Sequence, residues 1–253
     1  MFCRFCGTTE AQFRISGKFG CEHCVTLFPY PKQKNSKVVP ASLMQEIQTT
    51  LTKCEDKIWI LSLRIRITRN LSHVIFPYYD PKEEHVKRLL AENNFSAFLG
   101  IDEGPSRLYL GSEDHLRWEI LQSLGMKLSN LRTKYDGVQI KNLKGIRSLE
   151  RFLHQKKHWA YASGIGFLSS CPTNLGKGRR DSLLLGIEAG IDPSFFSLFE
   201  KLSEFGIEFA PSSDHRRESL GNFRGLVVKI SWKNAFAVQK RQFYKILGLR
   251  GSL

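Results

Sequence analysis

Apolar and polar positions alternate along KIWILSLRIR, a run rich in β-formers, and this pattern predicts a strand over residues 57–67. Shorter apolar runs bounded by turn residues predict strands at RLYLG (107–111), IGFLSS (165–170), SLLLGIE (182–188) and FRGLVVKIS (223–231). The period changes in SLERFLHQKK (148–157) and in PSFFSLFEKLSEFG (193–206), where apolar residues recur at helical spacing. The second of these has Pro193 near its start and Gly206 at its stop. Strands clustered with helices between them, without regular βαβ alternation, predict an α+β sheet domain.

Three segments follow from the same pass. Residues 1–30 hold four of the six cysteines. The polar, Pro-containing stretch PYPKQKNSKVVPAS then reads as a linker, taken as 31–43, and one long region occupies 44–253 without an internal repeat. With 253 residues, 42% of them hydrophobic, the chain can bury a sizeable core, and 25% charged with 11% aromatic residues argues against wholesale disorder. No uninterrupted apolar run reaches the ~18 residues that a membrane helix needs. The start, MFCRFCG, has no basic segment followed by an apolar stretch, so no secretory signal is expected and the default compartment is the cytoplasm. The formal net charge is +14. It is uneven: residues 1–40 carry six basic and two acidic side chains and residues 211–253 carry nine and two, leaving the middle nearly balanced. Basic ends attract nucleic acid, acidic proteins or polyphosphates without distinguishing among them.

The cysteines change the picture more. Cys3-x2-Cys6 and Cys21-x2-Cys24 are separated by fourteen residues. Two such knuckles can set four thiolates tetrahedrally around one Zn2+ at ~2.3 Å. In a reducing compartment cysteine pairs more often hold metal than form disulfides. Four thiolates leave no open position for water, so the expected site is structural; a redox pair is the alternative, and His23 is a secondary candidate ligand. Between the knuckles, RISGKFG is expected to supply a strand-like piece and turn glycines.

Three further clusters carry candidate chemistry. Arg64 and Arg66 are two apart in the strand at 57–67, so both guanidinium groups share a face; two adjacent forks suit a polyphosphate, the alternative being a solvated strand face. Ser112-Glu113-Asp114-His115-Leu116-Arg117 follows the strand at 107–111 and concentrates two carboxylates, an imidazole and a guanidinium, or else forms a polar capping turn. Ser170-Cys171-Pro172-Thr173-Asn174-Leu175-Gly176-Lys177-Gly178-Arg179-Arg180 places a cysteine before a short Gly-x-Gly loop and two arginines. That loop could bring backbone N–H groups and Arg180 against phosphate, and positive surroundings would favour a reactive thiolate at Cys171, although a lone cysteine is usually a small buried hydrophobe.

Taken together, RIRITRNL, SEDHLR and CPTNLGKGRR occur in the order and at the separations found in the phosphagen (guanidino) kinase family. The chain resembles that family's catalytic domain over about residues 57–232, most closely the bacterial protein-arginine kinases, and its cysteine segment resembles the zinc-binding part of their separate activator protein. The resemblance implies an antiparallel sheet flanked by helices, with a small N-terminal zinc module, that binds Mg-ATP. It implies that Arg64, Arg66, Arg117 and Arg180 clamp phosphates and that His115 contributes to the nucleotide pocket. Glu113, with Asp114 beside it, would orient the acceptor guanidinium and take its proton, with Cys171 close by as a thiolate. It also implies arginine-bearing protein substrates, stress-response regulators or a Clp-type protease system as partners, and no membrane.

The chain departs from the family pattern in places. Ser112 stands where the usual NEEDH has an acidic residue, and Lys177 stands where threonine follows CPTNLG. Counting back from Gly221-Asn222, Ala210 and His215 fall where the family has arginine and glutamate; Arg216 or Arg217 and Glu218 are the nearby substitutes. The resemblance ends before the domain with which protein-arginine kinases recognise phosphoarginine. Two readings follow: an active kinase for protein arginine, or a catalytically weakened relative acting as zinc-dependent adaptor or activator of a separate kinase. A basic zinc protein binding nucleic acid is a third, and it leaves the three motifs unexplained.

Overall fold

The computed structural model describes residues 1–30, 37–77, 80–100, 105–134, 146–212, 223–233 and 237–249. The chain begins with helices α1 (Glu10–Ser16), α2 (Cys24–Leu27) and α3 (Ala41–Lys53), followed by strand β1 (Ile58–Arg69) and α4 (Glu83–Glu92). Strands β2 (Ser106–Leu110) and β3 (Leu116–Lys127) lead into α5 (Leu128–Lys134) and α6 (Ile146–Leu153). Two short strands, β4 (Tyr161–Ala162) and β5 (Gly166–Phe167), precede β6 (Arg179–Ile187), α7 (Ser194–Glu200), β7 (Ile207–Pro211), β8 (Leu226–Lys233) and α8 (Ala237–Ile246).

The main sheet has the order β2-β3-β1-β6-β8-β7 and is antiparallel, flanked by helices, as the sequence led us to expect. In β2–β3, Arg107 faces Glu119 and Tyr109 faces Arg117; in β7–β8, Ala210 faces Lys229. The chain forms two compact units, one of residues 1–33, 66–120 and 143–180, the other of residues 34–65, 121–142 and 181–253. Strands β1, β3 and β6 contribute residues to both.

In the second unit the core is aliphatic and aromatic. Met44, Ile47 and Leu51 are buried at 3,4 spacing on α3, and Phe195, Leu198 and Phe199 on α7; both sets join Ile58, Ile60, Leu183, Leu185 and Trp232 in one cluster. Full burial of such a side chain contributes about 1.5–3 kcal/mol relative to exposure. Pro193 and Gly206 bracket α7 and the 3-10 turn after it, with Gly206 left-handed at φ 73°, a conformation that costs glycine nothing. The first unit has a smaller core in which Cys3, Cys21 and Cys24 pack with Phe13, Phe19, Phe28 and Phe76 and with Ala160, Leu168 and Leu175.

Some local expectations fail. RISGKFG is not strand-like: its first three residues end α1, where Thr9 and Gln12 form a reciprocal capping box and Gly17 closes the helix in the left-handed region. Side-chain capping outweighs the β tendency of an isolated isoleucine. Of IGFLSS only Gly166 and Phe167 are strand, because Ser169 and Ser170 turn inward to a buried carboxylate. The helix expected at 148–157 starts earlier and stops at Leu153, with a 3-10 turn at Lys156–His158.

Candidate active site

SEDHLR, CPTNLGKGRR and the RIRITRNL run from Arg66 onward meet in the first unit, and a buried amide joins them. Asn70 ends the RIRITRN run, directly after β1, and is fully buried. Its Nδ2 donates to Asp114 Oδ1 at 2.6 Å and to the Leu168 carbonyl at 3.2 Å, while its Oδ1 accepts the His115 N–H at 2.9 Å. Asp114 is also fully buried. It accepts from Ser169 Oγ at 2.7 Å and from the Ser170 N–H at 3.1 Å. Burial pushes its carboxyl above the usual range against the pull of these donors. Asp114 is therefore anchored from within to Asn70 and to Ser169 and Ser170, the two residues just before Cys171, rather than facing solvent.

His115 is likewise buried and held at both ring nitrogens, with Nδ1 3.4 Å from the Leu71 backbone N and Nε2 3.2 Å from the Asp80 carbonyl. An N–H on one side and a carbonyl on the other define a neutral ring protonated at Nε2. Burial takes its pKa to about 4, overcoming the Asp80 carbonyl and carboxylate that favour the charged form. In these contacts the imidazole ties backbone segments to each other.

Glu113 is the carboxylate that faces outward. Its Oε2 lies 3.3 Å from Asn174 Nδ2, and the Asn174 Oδ1 in turn accepts from Arg66 Nη2 at 3.3 Å. Its backbone carbonyl accepts from Ser170 Oγ at 2.5 Å. Its Oε1 is ion-paired with Lys18 of the cysteine segment. Burial would raise the Glu113 pKa, but the Lys18 hydrogen bond and charge, aided by Arg66 and Cys171, hold it below the ordinary carboxylate range. Cys171 completes the group, with Sγ 3.1 Å from Thr173 Oγ1 and its backbone N–H donated to Ser169 Oγ at 3.2 Å. Glu113, Asp114, Cys171, Asn174 and Arg66 thus form one connected cluster.

The remaining arginines stand on strands. Arg66, Arg117 and Arg180 lie on β1, β3 and β6, neighbours in the sheet, and all three are half-buried. Arg117 stacks on Tyr109 with its guanidinium carbon 4.4 Å from the ring centre, and its Nε is 3.5 Å from Glu119. Arg64 is half-buried on β1, two positions before Arg66. Ala210 is in β7, whereas His215, Arg216, Arg217 and Glu218 lie outside the described residues.

The Gly-x-Gly loop joins β5 to the end of β1. Gly176 and Phe167 exchange both backbone hydrogen bonds, at 2.7 and 3.0 Å, so the Gly176 N–H is committed internally. Gly178 has φ 57°, and its carbonyl accepts the Thr68 N–H at 2.9 Å. Against this loop lies Arg69, fully buried, its guanidinium 3.7 Å above the Phe167 ring and its N–H groups donated to the carbonyls of Leu153, Thr68 and Lys177. Burial lowers the Arg69 pKa to about 9, against the favourable charge of Asp114.

Our reading of the sequence singled out neither Asn70 nor Arg69 nor Lys18. Asn70 and Arg69 extend the very motif that carries Arg64 and Arg66, and a fully buried Asn and Arg at a strand end are the signal; burial, however, is not visible in a motif. Lys18 sits in a glycine-flanked turn whose neighbour only the fold defines.

The four cysteine sulfurs lie within 4.8 Å of one another. Cys3–Cys21, Cys6–Cys24 and Cys21–Cys24 are separated by 3.6, 3.4 and 3.8 Å, close to the ~3.8 Å edge of a tetrahedron with Zn–S bonds of ~2.3 Å. Cys3, Cys21 and Cys24 are buried. Donor type, number and spacing all fit a closed structural zinc site. His23 points elsewhere, its ring 4.8 Å from that of Phe5.

The chain belongs to the ATP:guanido phosphotransferase family: residues 36–234 match the model of its C-terminal catalytic domain. Among curated proteins it is similar to the protein-arginine kinase of Bacillus pumilus, 24% identical over 208 residues that make up 64% of this chain and 54% of that one. It is 25% identical over 209 residues to the protein-arginine kinase of Shouchella clausii, covering 64% and 55%. The chain thus spans about half the length of these relatives. A solved structure of the duplicated taurocyamine kinase from Schistosoma mansoni, with bound transition state analog components, matches 75% of this chain and 31% of that one at 18% identity and a TM-score of 0.43.

Proposed function

We propose that this protein transfers the γ-phosphoryl group of Mg-ATP to arginine side chains of proteins. The observation that carries this is the cluster in which the outward-facing Glu113 lies beside Cys171 and, through Asn174, is linked to Arg66. Family membership supplies the reaction class, and the protein-arginine kinases among its relatives supply the acceptor.

Phosphoryl transfer of this kind needs little covalent chemistry from the protein; it needs alignment and compensation of charge. Arg64, Arg66, Arg117 and Arg180 take the phosphate oxygens in this reading, each able to offer a bidentate fork. Mg2+, when bound with the nucleotide, neutralises phosphate charge. The acceptor poses the harder problem, because a guanidinium with a pKa above about 12 is not a nucleophile until it loses a proton. Glu113, kept ionised, receives two guanidinium N–H groups, turns one nitrogen toward the phosphorus and accepts its proton. Asp114, Asn70 and the two serines act as positioning residues that keep Glu113 and Cys171 on the same side of the site. Zinc, held by Cys3, Cys6, Cys21 and Cys24, has no catalytic part.

A second reading, a weakened relative that regulates a separate kinase, draws on Ala210, which faces Lys229 in the β7–β8 ladder where the family pattern has arginine. Incubation with Mg-ATP and an arginine-rich protein separates the two. The kinase reading expects an acid-labile, base-stable phosphoprotein; Glu113→Gln is expected to reduce its formation by at least 10²-fold, with ATP affinity within a factor of two. A chain that binds ATP but leaves the acceptor unlabelled supports the adaptor, and a Glu113→Gln protein with full turnover removes Glu113 from its role.

A further inference from the structure

The cysteine segment does more than border the cluster, because it sends a charged side chain into it. Lys18 follows the left-handed Gly17. On its other side the Phe19 N–H donates to the Ser170 carbonyl at 2.7 Å, and the Gly20 carbonyl accepts the Phe76 N–H at 2.8 Å. Phe19 is fully buried and stacked on Phe13 with ring centres 4.6 Å apart. The backbone carrying Lys18 is therefore pinned to the residue preceding Cys171, and what remains free is the side chain. Its ammonium pairs with Glu113 Oε1 and lies within electrostatic reach of the Cys171 thiol. These are the two groups assigned above to the acceptor guanidinium.

We propose that Lys18 is a built-in occupant of the acceptor site, holding Glu113 and Cys171 until an incoming arginine side chain displaces it, and so setting which cations the site accepts. The inference rests on the acceptor role given to Glu113. Lys18 occupies the Oε1 that a bidentate guanidinium fork would need, so its seating competes with two-point binding of an arginine side chain. The apparent affinity for the acceptor falls in proportion to the fraction of molecules with the site open. An acceptor lysine would exchange one compact ammonium for another and gain nothing. A guanidinium brings five N–H groups in a planar fork, which can engage both Glu113 oxygens at once, and is the more weakly hydrated cation. The occupied site thereby discriminates for arginine. Displacement is sterically open, since the Lys18 and Glu113 side chains keep 29% and 32% of their surface accessible.

The test is direct binding, read without turnover, to the zinc-replete full chain. Nα-acetyl-arginine methylamide and Nα-acetyl-lysine methylamide are titrated by calorimetry into the wild-type protein, Lys18→Met and Lys18→Arg. Lys18→Met is expected to bind the arginine probe at least ten-fold more tightly and to acquire measurable affinity for the lysine probe; Lys18→Arg, which keeps a cation in place, is expected to do neither. Unchanged or weaker binding by Lys18→Met, or no binding by either protein, overturns the proposal. Failure of the kinase reading would register separately. Tighter binding with no transfer to protein retires the kinase and leaves the role of Lys18; transfer with acceptor affinity indifferent to Lys18 does the reverse.

Discussion

Replacing Asn70 with alanine tests whether the three motifs are held together from inside. The amide makes three hydrogen bonds in a fully buried position: to the Asp114 carboxylate at 2.6 Å, to the Leu168 carbonyl at 3.2 Å and from the His115 N–H at 2.9 Å. A hydrogen bond to a charged group is worth about 1.5–3 kcal/mol and a neutral one about 0.5–1.5 kcal/mol, with a buried partner left unsatisfied at the upper end. Alanine offers none of them, so the loss is expected to be about 3–5 kcal/mol, measured as the change in urea unfolding free energy of the zinc-loaded protein. The dependence on pH sharpens the test. Burial raises the Asp114 pKa, and Asn70 is foremost among the donors that pull it back. A carboxyl whose pKa is higher folded than unfolded binds more protons in the folded state within that window, so folding gains stability as pH falls through it. Removing Asn70 widens the window upward. Once Asp114 is protonated it needs fewer donors, so the cost of Asn70→Ala should shrink as pH is lowered from 7.5 toward 5. A cost below about 1 kcal/mol, or one that grows on acidification, would refute the view that this amide stabilises a buried carboxylate.

Two further substitutions probe neighbouring parts. Gly178→Ala places a methyl group 2.8 Å from the Thr68 carbonyl and against the Arg69 guanidinium at φ 57°; about 1–3 kcal/mol of destabilisation is expected in thermal unfolding, and a variant within 0.5 kcal/mol of wild type would show that the loop has room to relax. Cys24→Ser is expected to abolish a content of one zinc per chain by elemental analysis and to speed amide hydrogen exchange at Phe19 and Phe76, whose hydrogen bonds bind the cysteine segment to its surroundings. Full zinc retention would show that another donor completes the shell.

The sequence disclosed the elements whose burial is one-sided or total over a long run. KIWILSLRIR announced β1, and the helical period of PSFFSLFEKLSEFG, with its proline and glycine, announced α7. It did not disclose β3. LRWEILQSLGMK has apolar and polar residues in no clean period, because Leu116 and Trp118–Ile120 are buried, Arg117 is half-buried, and the strand is half-open beyond. Nor was α3 evident, since its Met44, Ile47 and Leu51 are set among polar residues and gain their meaning from the core they meet. The cysteine segment was legible as chemistry but not as shape: thiol spacing names a metal without saying that Gly17–Gly20 will lie across the chain near Ser170.

The same distinction divides the motif residues themselves. In SEDHLR, three consecutive side chains meet three different environments: Glu113 faces the open cluster, Asp114 is clamped by an amide and two serines, and His115 is a neutral ring between two backbone segments. A turn that must present one carboxylate while burying the next has to satisfy the buried one, and its donors are Asn70 of the first motif and Ser169 and Ser170, which immediately precede the third. Buried polar groups without partners are costly, so each motif is held where it is by atoms of the others. In this chain the three runs depend on one another, since the buried polar side chains of each find partners on the others. Lys18 stands outside that arrangement. The carboxylate it meets receives a neutral amide from the motifs at Oε2, and an ionised Glu113 in a half-buried place draws whichever cation can reach Oε1, the chain's own or an acceptor's.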